Sequence, residues 1–112
     1  MKRVILVKPG KRPEVIESPL ELSDIQTLVN GYMEVIAPFN DSVCLICDEE
    51  GKIDGAKPNR VVRNEKSGKV LDIIYGPFLI VGDEGEDFGS LNATQIAKYM
   101  DMFHDIEFAR EE

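Results

Sequence analysis

The sequence predicts an α+β domain, a mostly antiparallel sheet of about five or six strands carrying two short amphipathic helices. Short β-branched and apolar runs follow one another closely: RVILVK, EVIES, YMEVIAP, SVCLICD and VLDIIYGPFLIVG. Only two stretches change to a helical period, and each carries its own start signal. The chain of 112 residues is 43% hydrophobic and 30% charged. It is long enough to bury roughly two-thirds of its unfolded surface in one core without staples. The order β-β-α-β-β-β-α shows no internal repeat and no long linker, so residues 1–112 are expected to form a single domain.

The elements follow in order. Residues 3–8 form a strand that ends at Pro9-Gly10, where Pro at the second and Gly at the third position suit a type II turn. Residues 14–18 pair back onto it, with Pro13 and Pro19 marking their ends. In LELSDIQTLVNG, Ser23 and Gln26 suit a capping box, Leu22, Ile25, Leu28 and Val29 share one face, and Gly31 stands where a C-terminal glycine belongs. YMEVIAP is the next strand. Asn40-Asp41 then turns into SVCLICD, whose five consecutive apolar residues predict an interior strand covered on both faces. Residues 57–69 are polar and read as an exposed connection. Residues 70–82 are one long strand or two broken at Gly76-Pro77, since Pro77 cannot donate to a ladder. GDEGEDFGS is a loop. Asn92 as N-cap, Gln95 three positions on, and a Leu91–Ile96 staple then open a helix whose Ile96, Met100 and Phe103 should dock on the sheet. The tail IEFAREE either extends that helix or frays.

The acidic stretch CDEEGKIDGAKPNR, residues 47–60, invites a metal or catalytic reading. A calcium loop begun at Asp48 places Lys52 and Ile53 at its fifth and sixth positions, and one begun at Asp83 places Phe88 at its sixth, so both patterns fail. Turn chemistry explains the cluster better: Asp48 opens a bulged hairpin turn, Glu49 and Glu50 are its centre, and Gly51 takes the left-handed position. Carboxylates at such a tip face water and are poor acid/base catalysts.

Cys44 and Cys47 stand as C-x-x-C, but on a strand residues three apart point to opposite faces, which predicts two reduced structural thiols. The one histidine, His104, falls late in the last helix, where a cation is simply favourable. There is no G-x-S-x-G, no phosphate-binding glycine loop of Walker type and no H-E-x-x-H. The expectation is no catalytic residue, no metal site and no cofactor. The longest apolar runs, VCLIC and FLIV, are far below the ~20 residues of a membrane-spanning helix. The start MKRVILVKPGK has too short an apolar core for a secretory signal, which places the chain in the cytoplasm.

Net charge is −8, and an acidic protein is repelled by phosphate backbones unless a local basic patch dominates. Such a patch would be Lys57, Arg60, Arg63, Lys66 and Lys69 together with the basic first strand. For a small ligand such as a nucleotide or organic anion, Asn59 and Arg60 offer an amide and a bidentate cation, and Tyr32 a ring near a strand end.

NGYMEVIAP, CDEEGKIDG with PNR, IIYGPFLIVG and EDFGSL together resemble a family of small uncharacterised bacterial, phage and mobile-element proteins. The resemblance runs from about Val4 to Phe103, with Asp48 where the family's turn has Asn. It carries over no activity and no catalytic residue. What it implies is a small protein that binds and modulates another macromolecule, a host or element-encoded protein.

Overall fold

Side chains alternate across a strand, so a strand that is apolar at every position needs a layer on each face. Three inner strands of this protein carry such an unbroken apolar run, Val4–Val7, Val43–Cys47 and Phe78–Val81, and two covering layers follow from it. The structure, a computed structural model, describes residues 1–108. In chain order it contains β1 (Lys2–Val7), β2 (Glu14–Ser18), α1 (Leu22–Val29), β3 (Met33–Ile36), β4 (Val43–Asp48), β5 (Pro58–Arg63), β6 (Val70–Tyr75), β7 (Phe78–Asp83), β8 (Phe88–Gly89) and α2 (Ala93–Met102). The main sheet runs β2-β1-β7-β4-β3 with β8 added to β7, and β5 and β6 form a separate two-stranded ribbon. Every strand pair in both sheets is antiparallel. The fold is α+β, as the sequence predicts.

Register carries the alternation across the sheet. Ile5 stands opposite Ile80 and Ile80 opposite Leu45. These three, with Val7, Cys47 and Phe78, face a layer made of the β5–β6 ribbon and α2, which contributes Val62, Ile74, Tyr99 and Phe103. Val4, Leu6, Cys44, Ile46, Leu79 and Val81 face the other way, onto Ile25 and Val29 of α1. All six residues of β4 are buried, as expected of an interior strand. Cys44 and Cys47 lie on opposite faces as free, buried thiols.

Local signals hold at several points. Gly10 has φ 72° and the Lys11 N–H donates to the Lys8 carbonyl at 3.1 Å, in keeping with the turn at Pro9-Gly10. On α2, the Gln95 N–H donates to Asn92 Oδ1 at 2.8 Å and the Asn92 N–H to Gln95 Oε1 at 2.9 Å, the expected capping box. Phe103 is buried and Ile96 and Met100 pack beside it.

Other expectations are corrected. On α1 the box sits two residues earlier: the Glu21 N–H donates to Asp24 Oδ2 at 3.0 Å, while Ser23 lies inside the helix. The left-handed C-terminal residue is Asn30, at φ 64° and ψ 39°, not Gly31; asparagine tolerates that conformation. Residues 58–63, read as part of an exposed connection, are β5. Residues 70–82 are two strands, and Gly76 at φ 81° turns the chain out of the ribbon and into the main sheet. The segment after Asp48 joins β4 to β5, which do not pair, so it is no hairpin. Gly51 is absent from the left-handed positions of the chain. Residues 49–55 instead form successive turns, in which the Asp54 N–H donates to the Glu50 carbonyl at 2.8 Å and the Ala56 N–H to that of Gly51 at 3.0 Å. His104 stands just past α2, exposed and 3.1 Å from Asp105. The tail leaves the helix before Ile106, and residues 109–112 lie outside the described residues.

Candidate functional site

Asn59 and Arg60 alternate on β5, and a register shift between Pro58 and Arg60 lets both be buried completely. Arg60 Nε donates to the Phe103 carbonyl at 3.1 Å. Its Nη1 donates to the Asn59 carbonyl at 3.2 Å and to Asn59 Oδ1 at 2.9 Å. Nη2 donates to the Lys11 carbonyl at 2.7 Å and to that of Phe103 at 3.0 Å. A guanidinium has five N–H donors, and these five bonds engage all of them. Burial lowers the guanidinium pKa from its ordinary value, while Glu107 and Asp105 nearby push it back up. Asn59 Nδ2 donates to the carbonyls of Val7 and Gly76, each at 2.9 Å. The pair therefore ties the end of β1, the turn after it, the β6–β7 junction and the C-terminus of α2 into one internal hub. A ligand could reach Arg60 only by opening that hub.

Tyr32 is elsewhere. Its ring is 69% exposed at the α1–β3 junction, in a shallow depression with Gln26, Thr27 and Asn30 of the α1 layer. The structure does not bring Tyr32, Asn59 and Arg60 together. Burial of Arg60 also removes one of the five cations of the 57–69 basic stretch. Arg3 of β1 and Lys8 just after it each stand 3.7 Å from a carboxylate, Glu17 and Glu14 respectively.

The surface concavity that does gather chemistry lies between the β3 edge and the ribbon. One part, about 310 Å³, is bounded by Glu34, by Asp48–Ile53 and by Asp72–Tyr75. It continues into a second part of about 280 Å³ bounded by Ile36, Ala37, Pro38 and Leu71, with Glu34, Asp72 and Ile74 common to both. The acidic turns that the sequence places in water thus form one wall of a cleft. Glu34, Glu49, Glu50 and Asp72 present carboxylates there against one cation, Lys52, whose Nζ lies 3.0 Å from Asp72 Oδ1 and 5.6 Å from the centre of the Tyr75 ring. Asp48 is buried at the floor, its Oδ1 accepting from the Glu50 N–H at 3.0 Å. Just past this wall, on exposed Asp54, a side-chain hydrogen bond with Asp48, then desolvation, then the charges of Asp48 and Glu50 raise the carboxyl pKa. Among the described residues no group of three or more His, Cys, Asp and Glu is arranged to hold a metal ion.

Sequence reasoning missed this cleft because it depends on where β6 lies. Spacing along α2 could have revealed another missed residue, Tyr99, since Ile96, Tyr99 and Phe103 recur at helical intervals. The Tyr99 ring is wholly buried and 4.9 Å from that of Phe39, and its hydroxyl donates to Asp41 Oδ2 at 3.0 Å.

A family model described as "Domain of unknown function (DUF3846)" matches residues 1–104. The chain belongs to this family. No curated protein and no solved structure matches the chain. The DUF3846 assignment agrees with the expected resemblance in one respect, a family without an assigned activity, and it spans nearly the whole chain. No helix of the described residues is long and apolar enough to cross a membrane.

The cleft also bears on the thiols of this DUF3846 chain. Burial, with Glu34 next to it, pushes the Cys47 thiol up to about 12, and burial followed by Asp83 raises that of Cys44. Both remain protonated at neutral pH, and only a thiolate attacks disulfide reagents. Folded protein at pH 8 should therefore react with such a reagent at least about a hundredfold more slowly than free cysteine. Both thiols should titrate once guanidinium unfolds the chain. Fast labelling of either in the folded state would contradict the burial described.

Proposed function

We propose that this chain is a non-enzymatic binding module of the cytoplasm that engages another protein, host or element-encoded, through the cleft between β3 and β6. One observation carries the reading: the cleft combines excess negative charge with exposed apolar side chains at its margins. Ile53 is 82% exposed and Leu71 51%, beside Glu34, Glu49, Glu50 and Asp72, and Val35, on the other face of β3 at the same sheet edge, is 41% exposed. Exposed apolar groups beside charges of one sign suit a partner segment that is basic and partly apolar. The resemblance to mobile-element proteins supports a partner of host origin.

The test is site-specific photo-crosslinking. A photoreactive residue at position 35, 53 or 71 should give one discrete protein adduct in cells, and the same residue at Val15 on the opposite sheet edge should not. The double change Glu34→Lys with Asp72→Lys should weaken adduct formation about tenfold or more, since like charges across an interface repel, and raised salt should act in the same direction. Equal adducts at both edges, or none at the cleft, would overturn the proposal.

A further inference from the structure

Deepening that reading, we infer that the partner enters the cleft as an extended segment and adds a strand to β3, with basic side chains on one of its faces and apolar side chains on the other. β3 ends the strand order of the main sheet, so half of its backbone groups have no strand to meet. The phase is fixed by one bond. Tyr32 and Glu49 extend the β3–β4 register by one position, and the Glu49 N–H donates to the Tyr32 carbonyl at 2.8 Å. Hydrogen-bonded and non-hydrogen-bonded pairs alternate in an antiparallel ladder. Glu34 and Ile36 therefore bond inward to β4, and the N–H and C=O of Met33 and Val35 point outward to the free edge. A strand placed there would have every second side chain over Glu34 and Asp72. The remainder would lie over Met33 and Val35 on the α1 side, because successive side chains take opposite faces.

The other free edge differs in the features that matter. β2 is bounded by Pro13 and Pro19, and its Glu14 and Glu17 meet Lys8 and Arg3 across the pair at 3.7 Å, so its charge is locally balanced. On β3, Glu34 stands opposite Cys47 with no cation across the pair. A second copy of this chain fits poorly, because two acidic clefts would face one another in a molecule of net charge −8. Charge complementarity selects a basic occupant.

The probe is a Lys-Val alternating heptapeptide, (Lys-Val)₃-Lys, set against a block peptide of the same composition and against two N-methylated versions, one in each phase of alternate residues. The alternating peptide should bind, with amide exchange at Met33 and Val35 slowed about tenfold or more and exchange at Glu34 and Ile36, already bonded to β4, little changed. One methylated phase should lose about tenfold in affinity and the other should not, because only one set of peptide N–H groups faces β3. Glu34→Lys should weaken the peptide comparably. Peptide binding that depends on Glu34 but ignores methylation in both phases, and leaves Met33 and Val35 exchange unchanged, would overturn strand addition while the cleft reading stands. Protection of amides on β2 in place of β3 would overturn it too. Failure of every peptide, together with absent crosslinks from positions 35, 53 and 71, would remove both readings.

Discussion

Arg60→Met is expected to destabilise the protein by about 3–5 kcal/mol, read as a lower urea midpoint at unchanged slope. A surface arginine would give almost nothing. The difference lies in what remains after the guanidinium is gone. The Phe103 carbonyl loses two donors, and the Lys11 and Asn59 carbonyls lose one each. A buried acceptor left without a partner costs about 1–3 kcal/mol. Replacing a buried ion pair by apolar residues can be neutral when both partners are replaced. Here four of the five bonds go to backbone carbonyls, which cannot be replaced, and the fifth goes to Asn59 Oδ1, so that route is closed. Arg60→Lys should recover only part of the loss, because an ammonium has three donors on one atom and cannot span Phe103, Lys11 and Asn59 as the planar fork does. A loss below about 1 kcal/mol for Arg60→Met would mean that water fills the site and satisfies the carbonyls.

The hub also shows why some of the fold was legible in the sequence and some was not. β1, β2, β4 and the α2 cap are written in local code: β-branched runs, flanking prolines, and an Asn followed three residues later by Gln. Those signals concern neighbours in the chain, and the structure keeps them. Residues 58–63 carry a different kind of information. Pro58, Asn59, Arg60 and Arg63 make the segment look like a polar loop, yet Asn59 and Arg60 are among the most deeply buried residues in the protein. Their partners are Val7, Lys11, Gly76 and Phe103, up to 43 residues further along or 52 back. Polarity predicted exposure, and a dense set of non-local bonds overrode it. The same limit hid the cleft. Glu34 and Asp72 are far apart in sequence, and only the packing of β6 beside β3 and β4 makes them one surface.

Gly51→Val is expected to destabilise the protein by about 2–3 kcal/mol and to open the cleft, whereas Glu49→Gln and Glu50→Gln should each stay within about 0.5 kcal/mol of the parent. Turn chemistry on the sequence explains Gly51 by a left-handed backbone, and the structure assigns a different cause. Gly51 is buried, and a Cβ built on it would stand 2.6 Å from the Tyr75 carbonyl oxygen and 3.3 Å from both the Tyr75 carbonyl carbon and Cβ. The nearest obstacle is backbone, so no rotamer change relieves it. Either β6 moves outward or the 49–55 turns do, and both form walls of the same cleft. Alanine should give a smaller loss of the same sign and valine the larger one, because a branched Cβ adds two methyl groups to the collision. A left-handed requirement predicts instead that Gly51→Asn is tolerated better than Gly51→Ala, since asparagine enters that region readily. Close approach predicts the reverse order, because asparagine is the bulkier of the two. Urea midpoints for the three variants therefore separate the two causes. Peptide binding by Gly51→Ala, which should remain folded, then reports whether the spacing between the acidic turns and β6 is part of what the cleft recognises.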